Sequence, residues 1–422
     1  MSSISIHPAN RFSWEKWVFG VTLFLLITDG YRLTSFLPVL SVSRFLALTT
    51  VLLLLYGAQT LSRCLQRLDV LLLFFATTVA WPVLSAFWAP APTLRDIAIQ
   101  IHLFSIFLGS AAFWQRHPNS ALAIPLSAIL FSAVFAILSL VFPSAFKAFA
   151  EEADALYDYR GRAFGLFLQP NSLAHNLCLI YATVLLGSGR WPLKTLALAT
   201  ALLLACVGLS GSRAGMLTAA LLVIIVIASE LRSANIAFMQ KRKSQFLVLM
   251  SSILLMMTAV VATGGDRITF GGNQNLKERI ASIYDERARK GTRSISSRVA
   301  LANRYLNAAQ QKPLLGHGIG SSYFFVSQRR FFENRSHNGA IEAFYLYGGI
   351  GFALWALMLT AFCFTLQWHG VASDSVTKTG LFASLILLAF ASNTFIVNRS
   401  LCFILGAMYA LHLQRMHLFL KK

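Results

Sequence analysis

Apolar runs long enough to cross a roughly 30 Å hydrocarbon layer as helices recur along the whole of this chain, separated by short polar or Gly/Pro breaks. A lipid interior leaves only helices and closed barrels without unpaired backbone groups, and the two-residue alternation of barrel strands is absent here. With 56% hydrophobic and 12% charged residues over 422 positions, the composition lies outside the soluble range. The chain is therefore expected to be an all-α polytopic membrane protein. Hydropathy places about twelve helices, near 17–30, 40–60, 68–89, 94–115, 119–142, 171–187, 192–210, 214–230, 245–263, 338–366, 379–397 and 400–417. The first run follows Arg11 and Lys16 without a small-residue cleavage site and reads as an uncleaved helix.

An even number of spans puts both termini on one side, and the basic residues say which. Short segments on the terminal side hold fifteen Lys/Arg, whereas those on the opposite side hold eight. The termini are thus expected in the cytoplasm, and the helix pairs open toward the periplasm. The chain divides into helices 1–9 (1–263), a long periplasmic loop (264–336) and helices 10–12 (337–422). The loop carries thirteen Lys/Arg against five acids, yet loops of this length translocate regardless of charge. Its interior, 275–311, reads as one or two amphipathic helices ended by Pro313 and Gly316. A basic amphipathic pair above a membrane suits anionic lipid or a phosphorylated substrate, although a merely solvated basic loop has the same composition.

The five cysteines, Cys64, Cys178, Cys206, Cys363 and Cys402, show neither a CxxC pair nor a disulfide framework and read as free thiols. No metal is expected, since there is no DxD pair, and Asp29 and the acidic run at 151–158 read as solvated acids. Arginines, in contrast, gather on the outer side. Arg95 stands beside Asp96 at a helix start, where capping competes with ligand contact; Arg162 precedes Gln169-Pro170-Asn171; Arg213 sits in GLSGSRAG between two apolar runs. A charge between spanning helices costs about 2.5–3.5 kcal/mol at mid-membrane and less near the surface, so Arg213 either snorkels to headgroups or serves a ligand. Several guanidinium groups at one membrane surface make a site for a lipid-carried pyrophosphate, because they stay charged and bind phosphate bidentately.

The stretch 331–351 joins the basic loop to an apolar helix. If it is continuously helical, His337, Ile341, Phe344, Gly348 and Gly351 share one face, with a titratable ring at the helix mouth and a smooth surface below it. Helix capping by Ser-His-Asn followed by glycine packing would produce the same pattern.

These residues resemble the O-antigen ligase family, within the superfamily that also contains O-antigen polymerases and protein O-oligosaccharyltransferases. The resemblance rests on His337-Asn338 with Gly348 and Gly351 at fixed spacing, on R-x6-QPN (Arg162 to Asn171), on the GSRAG turn, and on Arg298 fifteen residues before P-L-L-G-x-G-x-G (Pro313 to Gly320). One departure is Ala302, where family members often carry tryptophan. The resemblance implies a GT-C-like arrangement and transfer of O-antigen from undecaprenyl pyrophosphate to the lipid A-core of lipopolysaccharide, with inversion and without metal, cofactor or nucleic acid. It makes His337 the general base and has Arg213 and Arg298 hold the pyrophosphate, with Arg162 and Arg267 as further candidates. Asn338, Asn171 and Arg95 join the substrate-binding set. An O-antigen polymerase with the same donor is the alternative within the superfamily, and a polyprenol-sugar flippase the alternative outside it. Transporters place ionisable groups near the midplane, whereas here they gather at one surface.

Overall fold

The computed structural model describes residues 14–36, 41–66, 69–90, 92–149, 162–186, 192–233, 269–270, 274–275, 293–321, 338–364, 375–392 and 398–419. Twelve α-helices lie among them: α1 (Trp14–Ile27), α2 (Val42–Gln66), α3 (Val70–Leu84), α4 (Leu94–Arg116), α5 (Pro118–Val141), α6 (Pro170–Leu186), α7 (Leu193–Ser210), α8 (Arg213–Ser233), α9 (Arg293–Ala309), α10 (Gly339–Phe364), α11 (Ser375–Ala391) and α12 (Arg399–Phe419). All but α9 coincide with an expected span; the expected span at 245–263 lies outside the described residues. Among the described residues five helical stretches, Val42–Arg63, Val70–Phe87, Leu94–Arg116, Pro118–Val141 and Gly339–Phe364, are long and apolar enough to cross a membrane by themselves. The chain is a membrane protein built from helices. Among the described residues the only strands are a two-residue antiparallel pair, Thr269–Phe270 with Gln274–Asn275.

Helix α4 is the axis of the bundle, with α2 and α12 packed along it and α3 alongside. Small residues permit this close approach: a Cβ on Gly57 would stand 2.8 Å from Leu108, and one on Gly406 would stand 2.5 Å from the Phe107 carbonyl. Such contacts are how helices associate where lipid removes the hydrophobic drive between them. Buried hydroxyls mostly bond back into their own helix, as Thr218 does to the Ala214 carbonyl at 2.9 Å and Thr183 to that of Leu179 at 3.2 Å. Four cysteines, Cys178, Cys206, Cys363 and Cys402, are buried free thiols.

The two ends of the bundle are fastened differently. At one, Arg116 bonds Glu15 at 2.9 Å and Gln59 at 3.2 Å and lies 4.4 Å over the Tyr56 ring, which joins α1, α2 and α4. At the other, Arg399 at the start of α12 bonds Asp29 at 3.0 Å and the Tyr31 hydroxyl at 2.9 Å, while Ser400 donates to Asn176 of α6 at 2.9 Å. Asp29 also stands 3.7 Å from Arg32. The carboxylate expected to be solvated is instead paired with two arginines. Burial, with the Asp29 charge adding to it, holds the Tyr31 phenol above its ordinary pKa.

Candidate functional site

The second of these ends carries the motifs. Helices α7 and α8 are joined almost without a loop: Gly211 takes a left-handed φ of +61° and closes α7, and Ser212 accepts the Gly215 N–H at 3.3 Å as the cap of α8. Arg213 is the first residue of α8 and is partly buried. The second glycine of GSRAG works against protein, since a Cβ on Gly215 would stand 2.6 Å from that of Ala174 on α6. Arg162 reaches this turn from the side. Its Nε donates to the Ser210 carbonyl at 2.7 Å and a terminal nitrogen donates to Asn171 Oδ1 at 3.2 Å. The guanidinium thereby meets a carbonyl at the C-terminal, negative end of α7 and ties it to the start of α6. Three expected residues, Arg162, Asn171 and Arg213, are thus brought to one place.

The other half of the site is built on a break in α10. Gly348 has φ +66° and ψ −172°, outside the helical region, so the helix is two segments and not one. The expected common face from Ile341 through Gly351 is corrected accordingly. Ile341 and Phe344 pack in a cluster with Tyr305 and Ile319; Trp81 edges the same cluster and also meets Gly351 beyond the break, 2.7 Å from its would-be Cβ.

A break inside a spanning helix frees backbone groups that lipid cannot satisfy. Here five of them find partners in the P-L-L-G-x-G-x-G loop or on α3. The His317 N–H bonds the Tyr345 carbonyl at 2.9 Å, and the Gly318 N–H bonds that of Leu346 at 2.7 Å. The Trp81 indole takes the Tyr347 carbonyl at 3.0 Å. In return, the N–H groups of Gly349 and Ile350 bond the carbonyls of Pro313 and Leu314 at 2.7 and 3.2 Å. No side chain fits at the crossing: a Cβ on Gly348 would collide with the Leu314 carbonyl, and one on Gly316 with the Gly348 nitrogen. Ser85, in the turn after α3, accepts the Ile319 N–H at 2.9 Å and fixes the loop from the other side.

Helix α9 rests on this assembly through Tyr305, whose ring meets Tyr345 edge-on at 5.0 Å. The His317 ring stacks on Tyr345 at 4.6 Å and bonds the Ala308 carbonyl at 2.8 Å through Nε2. Because a carbonyl only accepts, the proton is on Nε2. Arg298 falls on α9, and Asn338 caps α10 by accepting the Ile341 N–H at 3.0 Å. Thr93 and Asp96 cap α4 reciprocally, and Arg95 beside them is exposed. His337 and Arg267 lie outside the described residues. Among the described residues no group of three His, Cys, Asp or Glu is placed to hold a metal ion.

The stretch that contains GSRAG, Arg298, the glycine loop and the broken helix is also the stretch that known families recognise. Residues 198–356 match the O-antigen ligase family model. The resemblance read from the motifs is therefore shown for this region, and it supports a member of the ligase and polymerase superfamily. No curated protein matches the chain. Sequence reasoning missed Trp81, Ser85 and Arg399. The first two sit in or beside an apolar run with nothing to mark them, whereas the paired glycines 348 and 349 inside a helical pattern were an available sign of the break.

Proposed function

We propose that this protein is an O-antigen ligase of the bacterial inner membrane, with cytoplasmic termini and a periplasmic active site. In this reading it moves O-antigen from undecaprenyl pyrophosphate to the lipid A-core of lipopolysaccharide, without metal or cofactor and with inversion. The observation that carries the proposal is the family match over 198–356, which spans the arginine turn, α9 and the glycine crossing. His337 immediately precedes Asn338, the cap of the outer segment of α10, so the interlock at Gly348 bears on the place from which the histidine must act.

His337 takes the proton of an acceptor hydroxyl as its oxygen attacks the anomeric carbon. The bond from that carbon to the pyrophosphate oxygen breaks, and undecaprenyl pyrophosphate departs with the electron pair. Arg213 and Arg298 offset its growing negative charge, which fixed guanidinium groups do well where water is excluded. Arg162 and Asn171 hold the turn from which Arg213 projects. Arg267, Asn338 and Arg95 complete the proposed substrate-binding set.

The test is the lipopolysaccharide of a deletion strain together with the His337→Ala enzyme. A ligase leaves the core bare while lipid-linked polymer accumulates; a core bearing one repeat unit would identify a polymerase instead. General-base assistance is typically worth roughly 10²- to 10⁴-fold, so His337→Ala should lose transfer to that extent while still binding the donor. The wild-type rate should rise between about pH 5 and 8 as the imidazole loses its proton. A rate that falls over that range, with donor binding lost in the variant, would make His337 a phosphate ligand.

A further inference from the structure

The loop that fills the break in α10 begins with two leucines that face outward. Leu314 and Leu315 are 67% and 46% exposed, although the loop around them is closely docked. They lie at the top of an apolar stripe. Ile350, Leu357 and Phe364 are 40%, 54% and 43% exposed and recur every seven residues along the inner segment of α10, so they form one outward row on a helix long and apolar enough to span a membrane. Leu314 joins this row directly, because its carbonyl accepts the Ile350 N–H.

Part of the backbone of the turn is paired within the protein. The Lys312 carbonyl accepts the Gly316 N–H at 2.9 Å, those of Pro313 and Leu314 are bonded by α10, and Pro313 has no N–H to satisfy. On the other side of the turn, Gln310, Gln311 and Lys312 are exposed and polar. Polarity therefore changes over a single residue, from an ammonium that suits lipid phosphate to two leucines that suit acyl chains.

We infer that the side chains of Leu314 and Leu315 enter the acyl region of the bilayer from its surface, with the backbone of the turn at headgroup level, as an anchor that holds the glycine loop and α9 against the membrane. The occupant of this apolar face is membrane lipid, by continuity with the lipid-facing row of α10. The inference rests on α10 crossing a membrane and is independent of the transfer reaction.

The test uses the full chain with Cys64 replaced by serine, reconstituted in phosphatidylcholine vesicles, with single cysteines introduced by Leu314→Cys or Gln311→Cys and labelled with an environment-sensitive fluorophore. Lipids brominated on their acyl chains should remove about half of the emission from position 314 and little from position 311, which aqueous iodide should quench instead. Iodide quenching at position 314 would place the turn in water and overturn the inference. Protection of position 314 from both quenchers would mean that protein covers the turn, and would overturn it as well.

Discussion

The helical bundle and the platform above it solve the same problem in opposite ways. In the bundle, backbone groups are satisfied within each helix, buried hydroxyls such as Thr218 bond four residues back, and the tightest approaches press a glycine on a neighbouring helix. In the platform of α9, the glycine loop and the outer segment of α10, backbone groups are satisfied between segments far apart in sequence, and side chains of α3 and of the turn after it complete the set. Loss of a side chain in the bundle leaves its helices bonded. Loss of one partner in the platform leaves a buried donor or acceptor with none, which costs about 1–3 kcal/mol. A site that needs an irregular backbone near a membrane therefore depends on a few atoms that are not part of it.

The strongest test of this contrast is a pair of identical changes. Gly348→Ala forces a side chain onto the Leu314 carbonyl at a φ of +66°. Strained backbone costs about 1–3 kcal/mol and overpacking a similar amount, so activity should fall about a hundredfold or more while the bundle keeps its melting temperature. Gly109→Ala keeps an ordinary helical backbone but meets the buried Leu53 at 2.5 Å from Cδ2 and 3.1 Å from Cβ, so it should cost the bundle about 1–3 kcal/mol while the molecules that fold retain activity within about a few-fold. Equal losses in the two variants, measured as transfer per folded molecule, would erase the distinction between platform and bundle.

An intermediate effect is expected from Ser85→Ala, which strands the buried Ile319 N–H. The cost of about 1–3 kcal/mol should appear as faster hydrogen exchange in the loop at 313–321 and in the outer segment of α10, with α4 and α12 unchanged. Exchange that quickens throughout the molecule would show that platform and bundle open together. The smallest effect belongs to Thr218→Val in the bundle: the Ala214 carbonyl keeps its place in the helix, so stability should change by less than about 1 kcal/mol. A larger loss there would mean that the bundle also relies on its side-chain bonds.

The same contrast explains what the sequence could reveal. The spans were legible because each is specified by its own residues; the run expected at 94–115 is the helix Leu94–Arg116, and that expected at 119–142 is Pro118–Val141. The tight turn at Gly211 was legible for the same reason, since a glycine followed by a capping serine states its geometry locally. The break at Gly348 showed only as a pair of glycines, because the other residues around it suit a continuous helix and what opens it lies some thirty positions earlier in Pro313–Gly318. Trp81 acts on a carbonyl 266 positions away, and Arg162 on one 48 positions away. A single sequence read for local pattern contains neither pairing. The motif residues Arg162, Asn171 and Arg213 were found by type and spacing, but that one of them braces the turn carrying another emerges only from the folded chain.

The pairing of Asp29 with Arg399 bears on how the molecule is made. The carboxylate follows α1, its partner opens α12, and 370 positions separate them. At synthesis rates of roughly 5–20 residues per second, Asp29 has only Arg32 beside it for on the order of tens of seconds before Arg399 leaves the ribosome. During that interval α1 can be inserted but not locked, because Ser400, which bonds the Ile27 carbonyl, arrives with the same late helix. Helix α12 is thus what closes the contacts around α1, and a chain cut short before it would leave the membrane holding an open bundle with Asp29 paired to Arg32 alone.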